Sequence, residues 1–314
     1  MFNPLTAHEI AIIVSEGLVG LSPTIVDLGN QTFGVDDLAM ERIERLLSRT
    51  PPERGVDVTA LRALRGQRRG TKARHAGGAP LTADFYRALG FSRYEAIDIN
   101  SRFGSHVMDL NKDLDRDYGF SRQYDLVVNT GTSEHVFNQA AFLRNAHHLA
   151  APGGLMLHVV PFTGYTNHGF YNYQPGLFYD LAAANAYDVV RVRLADRDQE
   201  LLDLNVPSDL AAHFGSFLGL ATPNERNNTF LVALLRRSGH EEFVFPCQGR
   251  YLQVLEGAPR QEYLGRQTGN GRPALLSPGA PADGEAYGTR LRRRIKRALL
   301  KSLRSASRTV LLRL

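Results

Sequence analysis

The chain has 314 residues, of which 43% are hydrophobic, so it can bury a full core in one large or two modest domains. Its only cysteine, Cys247, excludes an intrachain disulfide and any cysteine-rich metal site. The net charge of +5 is unevenly distributed: ten Lys or Arg and no acid lie between residues 290 and 314, which leaves −5 on the rest. The sequence begins without a basic signal-peptide region, and no run approaches ~20 apolar residues, so we predict a cytoplasmic protein.

The elements alternate along the chain. The apolar run Thr24–Leu28 predicts a first strand that ends at a glycine, and "DDLAMERIERLLS" predicts the helix that follows it. Later strands are predicted at "YEAIDI", "SHVMDLN", "QYDLVVNTGT" and "PGGLMLHVVPF", with helices at "LTADFYRALGF" and "HVFNQAAFLRNAHHLA". The alternation predicts an α/β fold, in which a Rossmann-like, mostly parallel seven-stranded sheet is flanked by helices.

The later part of the chain changes in composition. We assign residues 1–240 to the main domain, 241–264 to a short extension and 265–289, rich in Gly, Pro and Ala, to a flexible linker. Residues 290–314 predict a basic amphipathic helix suited to an anionic membrane surface, which makes peripheral attachment to the inner face of a membrane our expectation. Packing against the acidic body is the alternative. No nucleic acid partner is expected, because the tail has no stacking aromatics.

A second basic run, "RALRGQRRGTKARH" between residues 62 and 75, is typical of a solvated surface insertion, with phosphate contact as the alternative.

Four polar residues and a proline lie where the predicted strands end: Asp27, Asp98, Asp109, Asn129 and Pro161. Ligands of such sheets bind at the carboxyl ends of the strands. There the Asp98 carboxylate, with Asn100 nearby, can accept two hydrogen bonds from a ribose diol, and the Asp109 carboxylate can accept one from an adenine amine.

The pair "YDLVVNTGTSEHV" and "LAAPGGLMLHVVP" resembles the class I S-adenosylmethionine-dependent methyltransferases, in particular their small-molecule branch, over about residues 24–190. This resemblance implies S-adenosylmethionine as the cofactor. It also implies donor-binding positions at Asp27, Gly29, Asn30, Gln31, Asp98, Ile99, Asp109, Leu110, Asn129 and Thr130.

The loop "VDLGNQTFG" departs from the pattern of that family, since Gln31 and Phe33 stand where its second and third glycines would be. Glycine there lets the backbone approach a ligand closely, and most other residues add a Cβ in the way. A Phe33 side chain that pointed into the donor space would favour a non-catalytic binding or scaffolding protein. The loop also disfavours a third interpretation, a nicotinamide-dependent enzyme, because it lacks the glycines that cradle a pyrophosphate.

Methyl transfer requires an aligned nucleophile and, where that nucleophile is a hydroxyl, a base. Glu134 and His135 follow the fourth strand, and we predict them as catalytic, with His135 taking the proton. The alternative is that Glu134 caps the next helix and His135 packs beneath it. In some O-methyltransferases of the resembling family the matching Glu helps bind a metal, but the spacings here predict no metal site.

The segment after the fifth strand is rich in Tyr, Asn and His. We predict that it orients a small-molecule or glycan acceptor through Tyr165, Asn167, His168, Tyr171 and Asn172. An aromatic corner that packs the end of the sheet is the alternative. Together these patterns predict methyl transfer to a small or saccharide-like acceptor, at oxygen.

Overall fold

The computed structural model describes residues 2–65, 81–195, 201–203, 228–239, 242–248, 256–258 and 261. The predicted linker 265–289 and basic helix 290–314, most of the extension 241–264 and residues 66–75 of the basic run 62–75 lie outside these residues. The boundaries of those segments remain predictions.

The strands form one sheet in the order β3-β2-β1-β4-β5-β8-β6-β7. They are β1 Thr24–Leu28, β2 Arg93–Asp98, β3 His106–Val107, β4 Tyr124–Thr130, β5 Ala150–Thr163, β6 Asp188–Ala195, β7 Leu201–Asp203 and β8 Thr229–Arg236. Strands β3, β2, β1, β4 and β5 are parallel, whereas β8 runs antiparallel to both β5 and β6. The α/β prediction is confirmed, with one correction: the sheet has an eighth, three-residue strand, β7, which pairs antiparallel with β6.

Helices cover the sheet. They are α1 Pro4–Ser15, α2 Asp37–Leu47, α3 Val58–Ala63, α4 Leu81–Ala88, α5 Leu114–Tyr118, α6 Gln139–Leu149 and α7 Pro175–Asn185. Two caps set important boundaries: the Asp36 side chain accepts from the backbone N–H of Ala39 at the start of α2, and Asn138 accepts from that of Ala141 at the start of α6. Among the described helices, none has the length and apolar character needed to cross a bilayer.

The sheet separates two apolar clusters. Successive side chains of β1 alternate between them, since Ile25 packs with residues of α1, α2 and α4, whereas Val26 and Leu28 pack with residues of α5, α6 and α7. This alternation places Asp27 on the same face as Ile25. The buried sheet between two helical layers fixes the carboxyl ends of β1, β2 and β4 beside one another.

Candidate functional site

The loop after β1 turns at Gly29. This residue has a left-handed φ of +93°, and a Cβ placed there would lie 2.2 Å from Oγ1 of Thr132, in the loop after β4. Its backbone N–H donates to the carbonyl of Ile97 in β2. Only glycine satisfies both the backbone conformation and the close approach, so the first glycine of the motif is a structural requirement for joining the ends of β1 and β4.

Gln31 occupies the position of the second glycine, and its side chain turns inward. Its Nε2 donates to the carbonyl oxygen of Thr130 at 3.0 Å and to Oγ1 of Thr132 at 3.2 Å. A longer contact of 3.4 Å joins Nε2 to the carbonyl of Gly29. Gln31 Oε1 is buried and accepts no hydrogen bond from any residue in the described part of the chain. The crevice between β1 and β4 therefore contains an unsatisfied acceptor.

Phe33, at the third glycine position, points away from the strand ends. Its ring stacks on that of Phe2, with the centroids 5.8 Å apart, and also packs against Phe85 of α4. Two backbone hydrogen bonds hold this pairing, from Phe2 N–H to the carbonyl of Thr32 and from Gly34 N–H to the carbonyl of Phe2. The Phe33 side chain therefore belongs to the core and does not point into the space expected for the donor.

Asp98 lies at the carboxyl end of β2 and is half-buried. One carboxylate oxygen accepts from the backbone N–H of Asn30 at 2.9 Å, and the other accepts from the backbone and side-chain amides of Asn100. The Asn30 side chain bridges to Asn100 Oδ1 and to Ser105 Oγ. The two strand-end loops are therefore tied together around a carboxylate that keeps acceptor capacity and partial access to solvent.

Asp27 requires a correction, because it cannot touch a ligand. It is fully buried, and its carboxylate accepts from the hydroxyls of Tyr86 at 2.9 Å and Tyr94 at 3.2 Å. Burial raises the pKa of Asp27 to about 7, against the opposing effect of these hydrogen bonds. Asp27 lies on the α1/α2 face of β1 and holds the two tyrosines to the sheet by these internal hydrogen bonds.

Three further residues predicted to contact the donor are also buried. Leu110 packs into the α5/α6/α7 cluster, Thr130 shares a 2.7 Å hydrogen bond with the Thr6 hydroxyl, and Asn129 bonds to Ser133 and to His158. Their side chains pack beneath the ends of the strands, which corrects the prediction that they contact the donor. Burial lowers the pKa of His158 to about 4, so it is a neutral core histidine.

Ile99 and Asp109 differ from those three. The Ile99 side chain is 73% exposed beside Asp98. The Asp109 carboxylate is half-buried and accepts from the backbone and side-chain amides of Asn111 through one oxygen, Oδ1. Both stay available at the edge of the sheet near Asp98.

Glu134, His135 and His168 meet above the end of β4. Glu134 Oε1 lies 3.6 Å from His168 Nε2 and 3.9 Å from His135 Nε2. The two imidazole rings contact each other, with centroids 5.0 Å apart. Glu134 is 1% exposed, and no other residue in the described chain donates a hydrogen bond to either of its oxygens. We call these three residues the Glu-His-His cluster.

The electrostatics of the cluster follow from burial. Burial raises the pKa of Glu134 to about 7, and burial followed by the neighbouring His168 lowers the pKa of His135. Glu134 and His135 lie in a 3₁₀ turn, Ser133–His135, before α6, and the cap of that helix is Asn138. The capping alternative for Glu134 is therefore wrong.

The loop after β5 is built against this turn. A Cβ at Gly169 would lie 2.8 Å from the Glu134 carbonyl, and the Phe170 N–H donates to that same carbonyl. Of the predicted acceptor residues, Tyr165 and His168 are in ring contact, Tyr171 donates to the Phe137 carbonyl, and Asn167 and Asn172 are exposed. The segment is an exposed rim beside the cluster.

The sequence patterns missed two residues of this rim. Phe137 and Phe170 are 72% and 67% exposed, and their rings meet edge to face at 6.0 Å. Each ring lies two or three residues from a member of the cluster. Phe170 was detectable in the aromatic-rich segment, whereas Phe137 follows "EHV" without any periodic signal.

The profile of a family described as "Methyltransferase domain" matches residues 76–204, from before β2 through β7. This match identifies residues 76–204 as a methyltransferase domain. The match begins after the glycine loop, which agrees with that loop being the poorest fit to the motif.

Solved methyltransferases overlap with this methyltransferase domain at low identity. A Burkholderia thailandensis 1,6-didemethyltoxoflavin N1-methyltransferase with bound S-adenosylhomocysteine is 13% identical, with 74% of this chain and 78% of that chain covered and a TM-score of 0.32. A Brevibacillus brevis polyketide-synthase O-methyltransferase, also with S-adenosylhomocysteine, is 12% identical, with 82% of each chain covered and a TM-score of 0.37. Coclaurine N-methyltransferase is 10% identical, with 74% of this chain and 71% of that chain covered and a TM-score of 0.37. None of the curated proteins matches the sequence.

S-adenosylmethionine is the methyl donor of this family, and the residues of the methyltransferase domain fit it. Asp98, with one face open, is suited to a ribose diol, and the exposed Ile99 offers an apolar surface beside it. Gln31 Oε1 is buried and accepts no hydrogen bond from the described part of the chain, and its contact with the methionine moiety stays a prediction. Because Phe33 packs in the core, the altered loop leaves this crevice free of an aromatic ring.

Proposed function

We propose that this enzyme transfers the methyl group of S-adenosylmethionine to a hydroxyl oxygen of a small polar acceptor. The observation that carries the proposal is the Glu-His-His cluster, which lies directly after β4 and next to Thr132, the residue packed on the donor loop. The donor supplies an electrophilic methyl group on a sulfonium. The protein has to align an oxygen with it and remove a proton.

His135 is the residue suited to take that proton. Its lowered pKa keeps the imidazole neutral at pH 7, and its side chain is about half exposed towards the rim. Glu134 lies 3.9 Å from His135 Nε2 and stabilises the imidazolium that forms. We favour oxygen because a hydroxyl becomes a strong nucleophile only as it loses its proton, which is the step that His135 can assist.

The test is methyl transfer to a panel of polyhydroxylated compounds and matched amines, with S-adenosylhomocysteine formation and product mass as the readouts. We expect products at oxygen, and His135→Gln should lower kcat by about 10²-fold or more with donor affinity unchanged. His148→Gln, which alters an exposed histidine at the far end of α6, is the matched control. Products formed only at nitrogen or carbon would contradict the proposal. Absence of binding by both S-adenosylmethionine and S-adenosylhomocysteine would favour the scaffolding alternative.

A lipid-linked glycan is the acceptor class that unites the aromatic rim with the basic tail. Exposed rings such as Phe137 and Phe170 stack on sugar faces, and residues 290–314 have the sequence of a membrane-surface helix. We expect anionic liposomes to sediment the full chain and to leave a version that ends at Gly288 in the supernatant. Equal sedimentation of both forms would remove the membrane part of this proposal and leave methyl transfer untouched.

A further inference from the structure

The Glu-His-His cluster has more acceptor capacity than the protein itself satisfies. Glu134 is buried to 1% exposure, and no other residue in the described chain donates to either of its oxygens. A buried carboxylate with neither a hydrogen-bond partner nor a close ion pair is costly, and such groups are usually paired or bound to a metal. The nearest polar atoms are the Nε2 atoms of His135 and His168, at 3.9 and 3.6 Å.

We propose that Glu134, His135 and His168 form a binding site for a first-row divalent metal ion such as Zn²⁺. Each residue offers one ligand atom, and the three atoms lie within 4.8 Å of one another. In a tetrahedral site with bonds of about 2.1 Å, ligand atoms stand about 3.4 Å apart, so no separation has to shorten by more than about 1.4 Å.

The backbone holds the three ligands in this arrangement. Glu134 and His135 are adjacent in the 3₁₀ turn, while His168 arrives from the loop after β5. The Phe170 N–H donates to the Glu134 carbonyl at 2.7 Å, and Gly169 permits an approach that a Cβ would block. The chain is thus pinned within two residues of His168, which limits the entropy lost when an ion binds.

The ligand chemistry limits the identity of the ion. Two imidazoles and one carboxylate favour Zn²⁺, Co²⁺ or Fe²⁺ over Mg²⁺ or Ca²⁺, which prefer oxygen ligands. Three protein ligands leave at least one coordination position open, the arrangement of catalytic metal sites. Both histidines are about half exposed, so an ion bound here would be reachable from solvent. With an ion bound, His135 would be a ligand and not the base, and an acceptor hydroxyl at the open position would pass its proton to solvent more readily, because the ion stabilises the alkoxide.

The site does not depend on methyl transfer, so it is tested without donor or acceptor. Full-length protein stripped with a chelator is titrated with Co²⁺, followed by visible absorption, and with Zn²⁺, followed by calorimetry. We expect one ion per chain and the visible bands of four- or five-coordinate Co²⁺. Glu134→Gln and His168→Ala should each weaken binding by at least about tenfold, since loss of a ligand costs at least as much as loss of an outer-shell partner.

Two controls make the outcome decisive. His148→Ala removes an exposed histidine outside the cluster and should bind Co²⁺ as the wild type does. His168 lies in an exposed loop segment, so His168→Ala should retain the wild-type melting temperature and separates loss of the site from loss of the fold. Absence of saturable binding in the wild type, or equal binding by Glu134→Gln, would overturn the proposal. Either result would leave intact the proposal that His135 acts as the base for methyl transfer from S-adenosylmethionine.

Discussion

The ring of Phe33 stacks on the ring of Phe2 at a centroid distance of 5.8 Å, with 18° between their planes. Phe33 replaces the third glycine of the donor loop, and it is a core residue that packs against Phe2 from the N-terminal segment. The loop keeps its turn through Gly29 and uses the third glycine position for packing.

Replacing Phe33 by Ala should therefore affect folding more than donor binding. Phe33 is 8% exposed and packs on Phe2 and Phe85, so we expect Phe33→Ala to lower the free energy of unfolding by about 3 to 5 kcal/mol. The affinity for S-adenosylhomocysteine, measured by calorimetry well below the melting temperature, should stay at the wild-type value. A large loss of affinity without loss of stability would show that the ring contacts the donor.

Gln31 should contribute to binding of the methionine half of the donor. Its unsatisfied Oε1 is the proposed partner of the ammonium group, so Gln31→Ala should weaken S-adenosylhomocysteine binding by about tenfold, as expected for a hydrogen bond to a charged group. 5′-Methylthioadenosine lacks the amino acid and should bind both proteins equally.

Asp98→Asn is the complementary variant for that experiment. It changes the predicted ribose contact, so it should weaken the binding of both S-adenosylhomocysteine and 5′-methylthioadenosine. If Gln31→Ala instead binds S-adenosylhomocysteine more tightly, the Gln31 side chain obstructs the crevice and the assigned contact is wrong. Melting temperatures of both variants check that the loop remains folded.

The sequence predicted the fold because the strands are short apolar runs bounded by turn residues, and the helices between them carry clear caps such as Asp36. It did not predict β7, a three-residue strand beside a longer neighbour. Asp98 lies at the carboxyl end of β2, as the strand pattern predicted, whereas its contact with the donor stays a prediction. The basic tail, residues 290–314, lies outside the described residues, and its membrane role stays a prediction.

Individual contacts were harder to predict than the location of the site. Asp27 was expected to contact the donor, but the two-residue period of β1 turns its carboxylate towards Tyr86 and Tyr94. His168 is 34 positions after Glu134, and only the close approach of Gly169 brings the two together, so no sequence spacing could show the cluster. Such features depend on tertiary packing.

The buried carboxyl of Asp27 should make stability depend on pH. Its pKa is about 7 in the folded protein against 3.8 for the ordinary value. Between pH 4 and 7 the unfolded chain has released this proton and the folded chain has not, so stability falls as the pH rises through this window and the loss is complete above it. A difference of about three pH units corresponds to about 4 kcal/mol.

Asp27→Asn removes this titration and retains partners for both tyrosine hydroxyls. The free energy of unfolding of the wild type, minus that of the variant, should decrease by about 4 kcal/mol between pH 4 and pH 8 and level off at higher pH. Urea unfolding at fixed ionic strength measures it. A difference that does not change with pH would mean that Asp27 is already ionised when buried.

Gly169 should control the geometry of the acceptor rim. A Cβ at this position would lie 2.8 Å from the Glu134 carbonyl and 3.0 Å from its Cγ, so Gly169→Ala must push the loop away from the 3₁₀ turn. We expect a loss of stability of about 1 to 3 kcal/mol, typical of overpacking, together with a higher KM for the acceptor and weaker Co²⁺ binding. Affinity for S-adenosylhomocysteine should not change, because the donor loop lies on the other side of Thr132.

Gly176→Ala is the matched control, since a Cβ at Gly176 in the first turn of α7 meets no atom within 4 Å. That substitution should leave acceptor KM and Co²⁺ affinity unchanged and raise stability slightly, by about 0.4 to 1 kcal/mol, because alanine restricts the unfolded chain. Equal effects of the two substitutions on acceptor KM would indicate a general response of the β5–α7 region. An effect confined to Gly169→Ala would link acceptor binding to the contact between this loop and Glu134.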